Sequence, residues 1–153
     1  MSLEAGSPTR AASTAPPASL ARVRRASLAI LALILVEYGI GMYVNLYVTV
    51  PPADRGHNLG SSITNGPPVL SLHVVTGLLL GLGAVGVLAH AAMARHLVAI
   101  SASVAGLIAL ALADAAGTSF TGSGHPADSM AMSVLTGAGL LCYVANLCLV
   151  RPS

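Results

Sequence analysis

Residues 70–93, LSLHVVTGLLLGLGAVGVLAHAAM, decide the fold of this chain. The run contains no Asp, Glu, Lys or Arg, and its histidines, His73 and His90, lie near its two ends. An α-helix rises about 1.5 Å per residue, so this run is long enough to cross the roughly 30 Å hydrocarbon core of a bilayer. Three further runs have similar length and apolarity: residues 26–50, 96–120 and 129–150. We therefore expect four membrane-spanning helices.

The overall composition also indicates a membrane protein. Of the 153 residues, 55% are hydrophobic and only 8% are charged, whereas charged residues make up about a quarter of an ordinary soluble domain. The net charge of +2 is too small to predict a nucleic-acid partner. The expected partners are therefore the lipid bilayer and either another membrane protein or a second copy of this chain.

The arginines predict how the helices are oriented. Only Arg55 falls in the loops that follow the first and third runs. The other arginines lie before the first run, between the second and third, or after the fourth: Arg10, Arg22, Arg24, Arg25, Arg95 and Arg151. By the positive-inside rule both termini are cytoplasmic. The predicted fold is an all-α four-transmembrane-helix bundle of two antiparallel hairpins in the cell membrane.

The chain divides into a tail and one membrane domain. Residues 1–24 are rich in Ala, Ser, Pro and Thr, a composition that buries too little apolar surface to fold, so we expect a disordered cytoplasmic tail. Residues 25–153 form the predicted membrane domain. Asp128 or Ser129 is the expected N-cap of the fourth helix, since short polar side chains satisfy the first backbone N–H groups.

One carboxylate interrupts the first run. Glu37, Gly41, Asn45 and Thr49 are spaced by four residues, so they form one stripe on a helix, and this stripe should face protein. A carboxylate at the bilayer centre costs at least about 2.5–3.5 kcal/mol. Glu37 is therefore expected to lie on a proton or substrate path, to contact a bound cofactor, or to be protonated and hydrogen-bonded within the bundle.

Four polar or sulfur-bearing side chains, one from each run, lie three to six residues inside the predicted outer ends of the helices. They are Asn45, His73, Asp114 and Met132. We expect them to meet in one layer near the outer face, with His57 and His125 in the loops above it. Imidazole is a common haem and metal ligand, so His73 is either a ligand or an interhelical hydrogen-bonding residue. Met130 and Met132 are either ligands or packing residues.

Several segments carry a resemblance to known proteins. The stretches NLYVTVP (45–51), NGPP (65–68) leading to His73, AGTSF (116–120) and DSMAM (128–132) through Tyr143 resemble a family of small four-span membrane proteins from high-GC Gram-positive bacteria. This resemblance implies the architecture and no defined activity. A looser resemblance is to one half of haem A synthase, whose bundle has a His near the outer end of its second and fourth spans. Here His73 occupies the first of these positions and Met130 or Met132 the second.

These observations leave three hypotheses for function. The first is a redox or sensing protein that binds haem b through His73, with Met132 or Met130 opposite and with Glu37, Asn45 and Asp114 as polar contacts. The second is an outward zinc or copper site built from His57, His73 and His125, for which a His and Met donor set favours copper. The third is a non-catalytic accessory or assembly subunit of a larger membrane complex. No catalytic residue is predicted, since the sequence has no nucleophile elbow or triad order.

Overall fold

The computed structural model describes residues 17–48, 60, 63–64 and 66–150. These ranges contain four long helices and no strand: α1 (Pro17–Tyr47), α2 (Pro68–Met93), α3 (Leu97–Ser123) and α4 (Pro126–Leu149). Each is long and apolar enough to cross a membrane. Helices suit this environment because all interior backbone N–H and C=O groups find partners within the same segment. The predicted all-α, four-span architecture is therefore confirmed.

The first helix begins earlier than the sequence predicts. We expected a disordered tail up to residue 24, but α1 starts at Pro17. The reason is that its first turns have a surface to pack on: Leu20 and Val23 are buried in one cluster with Ala91 of α2 and Val150 after α4. The rest of the predicted tail, residues 1–16, lies outside the described residues.

The connection between α2 and α3 is short. Ala94 and Arg95 close it with backbone hydrogen bonds to the carbonyls of His90 and Ala92, both at 3.0 Å. Arg95 adopts a left-handed conformation with φ of 51°, and Nδ1 of His96 then accepts the backbone N–H of Ala99 at 3.2 Å. His96 is thus the N-cap of α3. Because the connection is so short, α2 and α3 are antiparallel neighbours.

Gly124 links α3 and α4. It has a φ of 69°, a conformation that Gly adopts without the strain of a Cβ, and its N–H donates to the Phe120 carbonyl at 2.8 Å. The N-cap of α4 is His125, so the predicted N-cap at Asp128 or Ser129 is wrong. The helix starts earlier because Pro126 suits a first helical position. Asp128 lies in the first turn, where its carboxylate accepts hydrogen bonds from the hydroxyls of Ser119 and Ser123.

The four helices pack in a ring in which each contacts its neighbours in the order α1, α2, α3, α4, with α4 returning to α1. The closest pairing is between α3 and α4. We call the two ends of this bundle the Gly124 end and the Arg95 end after the turns that they carry. Val23 and Val150 share a buried cluster at the Arg95 end. Both ends of the described chain therefore lie on one side of the bundle.

Two apolar clusters hold the half of the bundle nearer the Arg95 end. The larger one joins all four helices and contains Ile30, Leu31, Ile34, Leu80, Ala84, Val87, Leu110 and Tyr143. The second, nearer the turn, contains Leu20, Val23, Ala91, Ala94, Ala99 and Val150. Most of the large side chains left exposed are aliphatic, as expected of a surface that faces lipid. The polar side chains that remain inside the bundle are described next.

Tight packing between α3 and α4 predicts that a side chain at Gly106 lowers the stability of the fold. A Cβ on Gly106 would lie 2.9 Å from Cε2 of Tyr143 and 3.2 Å from Cβ of Cys142, and a rigid, fully buried ring has little room to move. We expect Gly106→Ala to destabilise the fold by about 1–3 kcal/mol. Gly81→Ala is the matched control, because nothing lies within 4 Å of a Cβ there and Ala favours a helix by up to about 1 kcal/mol.

The measurement is the unfolding midpoint of each purified variant in the same detergent. A midpoint lowered for Gly106→Ala and unchanged or raised for Gly81→Ala is the expected result. Equal effects of the two substitutions would contradict the packing of Tyr143 against Gly106.

Candidate functional site

A cleft that contains several polar side chains enters the bundle from the Gly124 end. Its volume is about 160 Å³, and residues of α1, α2 and α3 line it together with Met132 of α4. Its walls are mainly aliphatic. The side chains in it that carry polar atoms or sulfur are Glu37, Asn45, His73, Asp114, Thr118, Thr121 and Met132. All four side chains of the predicted layer, from Asn45 to Met132, therefore lie around one cleft.

The centre of the cleft is a contact between α1 and α2. Oε1 of Glu37 lies 2.7 Å from Nδ1 of His73, which is ion-pair distance, although the ring N–H does not point straight at the oxygen. The second oxygen, Oε2, accepts a hydrogen bond from the hydroxyl of Thr76. Glu37 is only 7% exposed. The carboxylate that should be costly in a membrane thus has both oxygens partnered.

Glycines make room for this contact. A Cβ on Gly41, one turn from Glu37, would lie 3.0 Å from Cε1 of the His73 ring. A Cβ on Gly77, one turn from His73, would lie 3.3 Å from Oε1 of Glu37. The His73 ring therefore packs on the backbone at Gly41, and the Glu37 carboxyl group packs on the backbone at Gly77.

Asp114 brings a second carboxylate to the same place. Its Oδ1 lies 3.8 Å from the position of a Cβ on Gly77, on which Glu37 also packs. The two acids are therefore close neighbours at one depth, about 14 Å inside the helix ends. We expected Asp114 to lie nearer the surface than Glu37. This prediction is wrong because α3 continues to Ser123, past the predicted end of the span.

The cleft carries more acidic than basic side chains. Two carboxylates, Glu37 and Asp114, face one imidazole, His73. The described arginines, Arg22, Arg24, Arg25 and Arg95, all belong to the other end of the bundle. Apolar walls lower the local dielectric constant, so an uncompensated negative charge in the cleft acts more strongly on a cation than it would in water.

The remaining predicted site residues have different positions. Asn45 is exposed at the edge of the cleft, where its Oδ1 accepts a hydrogen bond from Ser129 at 3.2 Å. Met130 is 70% exposed and does not line the cleft. His125 is exposed at the start of α4. His57 and Thr49 lie outside the described residues. Of the histidines and methionines predicted as ligands in the described ranges, His73 and Met132 line the cleft, and His125 and Met130 do not.

Sequence reasoning missed Thr76, and it did not identify Gly41 and Gly77 as the surfaces on which His73 and Glu37 pack. A signal for them exists in the spacing. Glu37 and Gly41 are four apart, and His73, Thr76 and Gly77 are three and four apart, so each set occupies one helix face. The pairing of the two faces could not be read from spacing, since both helices are apolar on nearly every side.

The available donors restrict which metal centre the cleft could hold. Within the described residues, no three His, Cys, Asp or Glu side chains are arranged to hold a metal ion. A closed zinc site, which needs four such ligands, is therefore not formed by them. The nitrogen and sulfur ligands that line the cleft are the imidazole of His73, whose Nδ1 lies against Glu37, and the thioether of Met132.

Comparison of the chain with models of protein families, with curated proteins and with solved structures finds no match. The two resemblances described above therefore stay predictions.

The contact between Glu37 and His73 predicts strong coupling of the two side chains. Removing one partner leaves the other buried without compensation, so we expect Glu37→Ala to destabilise the fold by about 3 kcal/mol. The double variant Glu37→Ala/His73→Ala should cost less than the two single changes together, with a coupling of about 1–3 kcal/mol.

The free energies of unfolding of the four proteins, measured by titration with a denaturing detergent, give this coupling. A parallel cycle with His125→Ala in place of His73→Ala is the control, since His125 lies apart from Glu37 on an exposed turn. Additive effects in the Glu37 and His73 cycle would rule out the contact.

Proposed function

We propose that this integral membrane protein binds a metal centre in its cleft, with Nε2 of His73 as the protein ligand, and acts in redox chemistry or sensing. The observation that carries the proposal is the 2.7 Å distance between Glu37 Oε1 and His73 Nδ1. A histidine that binds a metal nearly always has its other ring nitrogen held by a carboxylate or carbonyl, which fixes the ring and makes the ligating nitrogen more basic. Oε1 of Glu37 lies close enough to Nδ1 of His73 for this role.

Met132 supplies the second donor. Its Sδ lies 3.1 Å from the position of a Cβ on Gly117, so the thioether is turned toward α3 and the interior of the cleft. Imidazole with thioether is a soft donor set, which suits a copper ion or the iron of a haem. Met130, two residues away, projects outward and is not part of this donor set.

A copper ion and a haem iron can both be bound by one imidazole and one thioether. A haem would be held by His73 and Met132 and would supply a redox-active iron. The size of the cleft distinguishes the two. Its volume of about 160 Å³ is below the roughly 300–1,000 Å³ of pockets for drug-sized ligands. A single ion therefore fits the cleft as it stands, whereas a porphyrin requires the helices to separate.

When bound, either centre supplies a one-electron couple. The chain's own residues hold the imidazole ring, surround it with aliphatic walls and would place the carboxyl groups of Glu37 and Asp114 beside a bound cation. Glu37 is the positioning residue for His73, and Thr76 in turn holds Glu37 by donating a hydrogen bond to Oε2.

The experiment has two arms on protein purified in detergent. Cells are supplied with a haem precursor in one arm and with copper in the other, and the product is analysed by optical spectroscopy and by metal content. A Soret band identifies haem, and stoichiometric copper without that band identifies the ion. In either case His73→Ala should lose the centre, and Glu37→Gln should weaken its binding about 10–100-fold.

Matched controls come from the same chain. His125→Ala and Met130→Leu alter exposed residues of the same types and should bind as the unmodified protein does, whereas Met132→Leu should shift the spectrum or weaken binding. The proposal fails if neither centre binds, or if His73→Ala binds like the unmodified protein.

The alternative role as an accessory subunit of a larger membrane complex stays a prediction from the sequence. Its test is purification under native conditions followed by identification of co-purified membrane proteins. Recovery of the free chain alone would argue against that role.

A further inference from the structure

A second polar cluster lies in the half of the bundle nearer the Arg95 end. Ser27 of α1, Ser103 of α3, and Tyr143 and Asn146 of α4 all have 0% exposure. They are neutral, and none of them lines the cleft around His73. Four fully buried polar side chains in a helical membrane bundle demand partners, since neither water nor lipid can reach them from outside.

Ser27, Ser103 and Asn146 share one level of the bundle, and Tyr143 lies one turn from Asn146 on α4. Val23 and Val150 belong to one buried cluster, and Ile30 and Tyr143 belong to the next. Helices α1 and α4 are antiparallel neighbours, so Ser27, one turn beyond Val23, lies level with Asn146, one turn before Val150. Ser103 lies at the same level because its hydroxyl oxygen accepts a hydrogen bond from Nδ2 of Asn146 at 3.0 Å.

Three atoms of this cluster have no hydrogen-bonding partner among the described residues. They are the hydroxyl of Ser27, the hydroxyl of Tyr143 and Oδ1 of Asn146. Each is shielded from solvent, and leaving such a group unpaired is unfavourable for folding. Two hydroxyls that can donate and one carbonyl that accepts are a complementary set for a single small molecule with both donors and acceptors.

We propose that an internal water molecule occupies this site and links α1 to α4. The water donates one hydrogen bond to Oδ1 of Asn146 and accepts hydrogen bonds from the hydroxyls of Ser27 and Tyr143. Three bonds is the usual number for a buried water that satisfies otherwise unpaired groups. Nδ2 of Asn146 already donates to Ser103, so this arrangement satisfies both ends of the amide.

The surroundings favour water over any larger or charged ligand. The two apolar clusters enclose this level from both sides, and none of the four side chains carries a charge to balance an ion. Tyr143 is also fixed in place, since its ring packs on Gly106. The site is therefore separate from the cleft around His73, and it stands whether or not that cleft binds a metal.

The direction in which two conservative substitutions change the unfolding midpoint tests the proposal. If a water bridges these atoms, Ser27→Ala and Tyr143→Phe each remove one of its partners, and each should lower the unfolding midpoint in detergent by about 2–4 °C. If the site is dry, the same changes delete an unpaired buried hydroxyl and should leave the midpoint unchanged or raise it. Ser101→Ala, on the exposed face of α3, is the matched control and should have no effect.

The double variant provides a second readout. Two residues that share one water should give a combined effect smaller than the sum of the single effects. Midpoints that do not fall, or that fall additively, would overturn the proposal.

Hydroxyl-radical footprinting of the unmodified protein covers the case in which a variant fails to fold. Radicals generated from an internal water should oxidise Tyr143 despite its complete burial. A protected Tyr143 under conditions that oxidise the exposed Tyr47 would overturn the proposal.

Discussion

The need to partner a carboxylate inside an apolar helix is the constraint on which this structure depends. Glu37 interrupts a span that is otherwise free of acids, and an isolated charge there opposes insertion. The structure resolves the conflict by placing His73 and Thr76 of α2 against its two oxygens. Gly41 and Gly77 allow α1 and α2 to approach closely at that contact, and Gly83 does the same where Ile30 packs against it.

This contact also divides the bundle into two unlike halves. Toward the Gly124 end, side chains with charges and sulfur surround a cleft. Toward the Arg95 end, aliphatic residues such as Ile34, Leu80 and Leu110 fill the interior, and the polar groups among them are neutral. Stability is therefore expected to come mainly from the second half, while the first half is free to carry ionisable groups that a close-packed core would not tolerate.

The number, type and approximate bounds of the helices were predictable, because span length and apolarity are set by the thickness of a bilayer. The stripe from Glu37 was predicted to face protein, and Glu37 and Gly41 are indeed buried, yet Asn45 is exposed at the edge of the cleft. Depth counted from the ends of the apolar runs placed Glu37 and His73 in different layers. The count failed, because the 2.7 Å contact places the two side chains at one depth, and Asp114 likewise lies deeper than the end of its run suggests.

What the sequence could not provide was the rotation of each helix about its own axis. In a soluble bundle the polar face identifies the buried face by contrast. Here lipid and protein interior are both apolar, so Leu79 and Leu80 look alike although one is exposed and the other buried. Only rare polar residues mark the inward face. Ser103 and Asn146 are two of these, and a search for pairs of lone polar residues at matching depth would have found them.

The plug formed by Ile34, Leu80 and Leu110 beneath the cleft has a consequence for energetics. A cavity that ends blindly within a bilayer equilibrates with one compartment alone. Its occupancy follows the chemical potential on that side and draws no work from a gradient across the membrane. Passage of a molecule from the cleft to the Arg95 end would therefore require these three side chains to move apart.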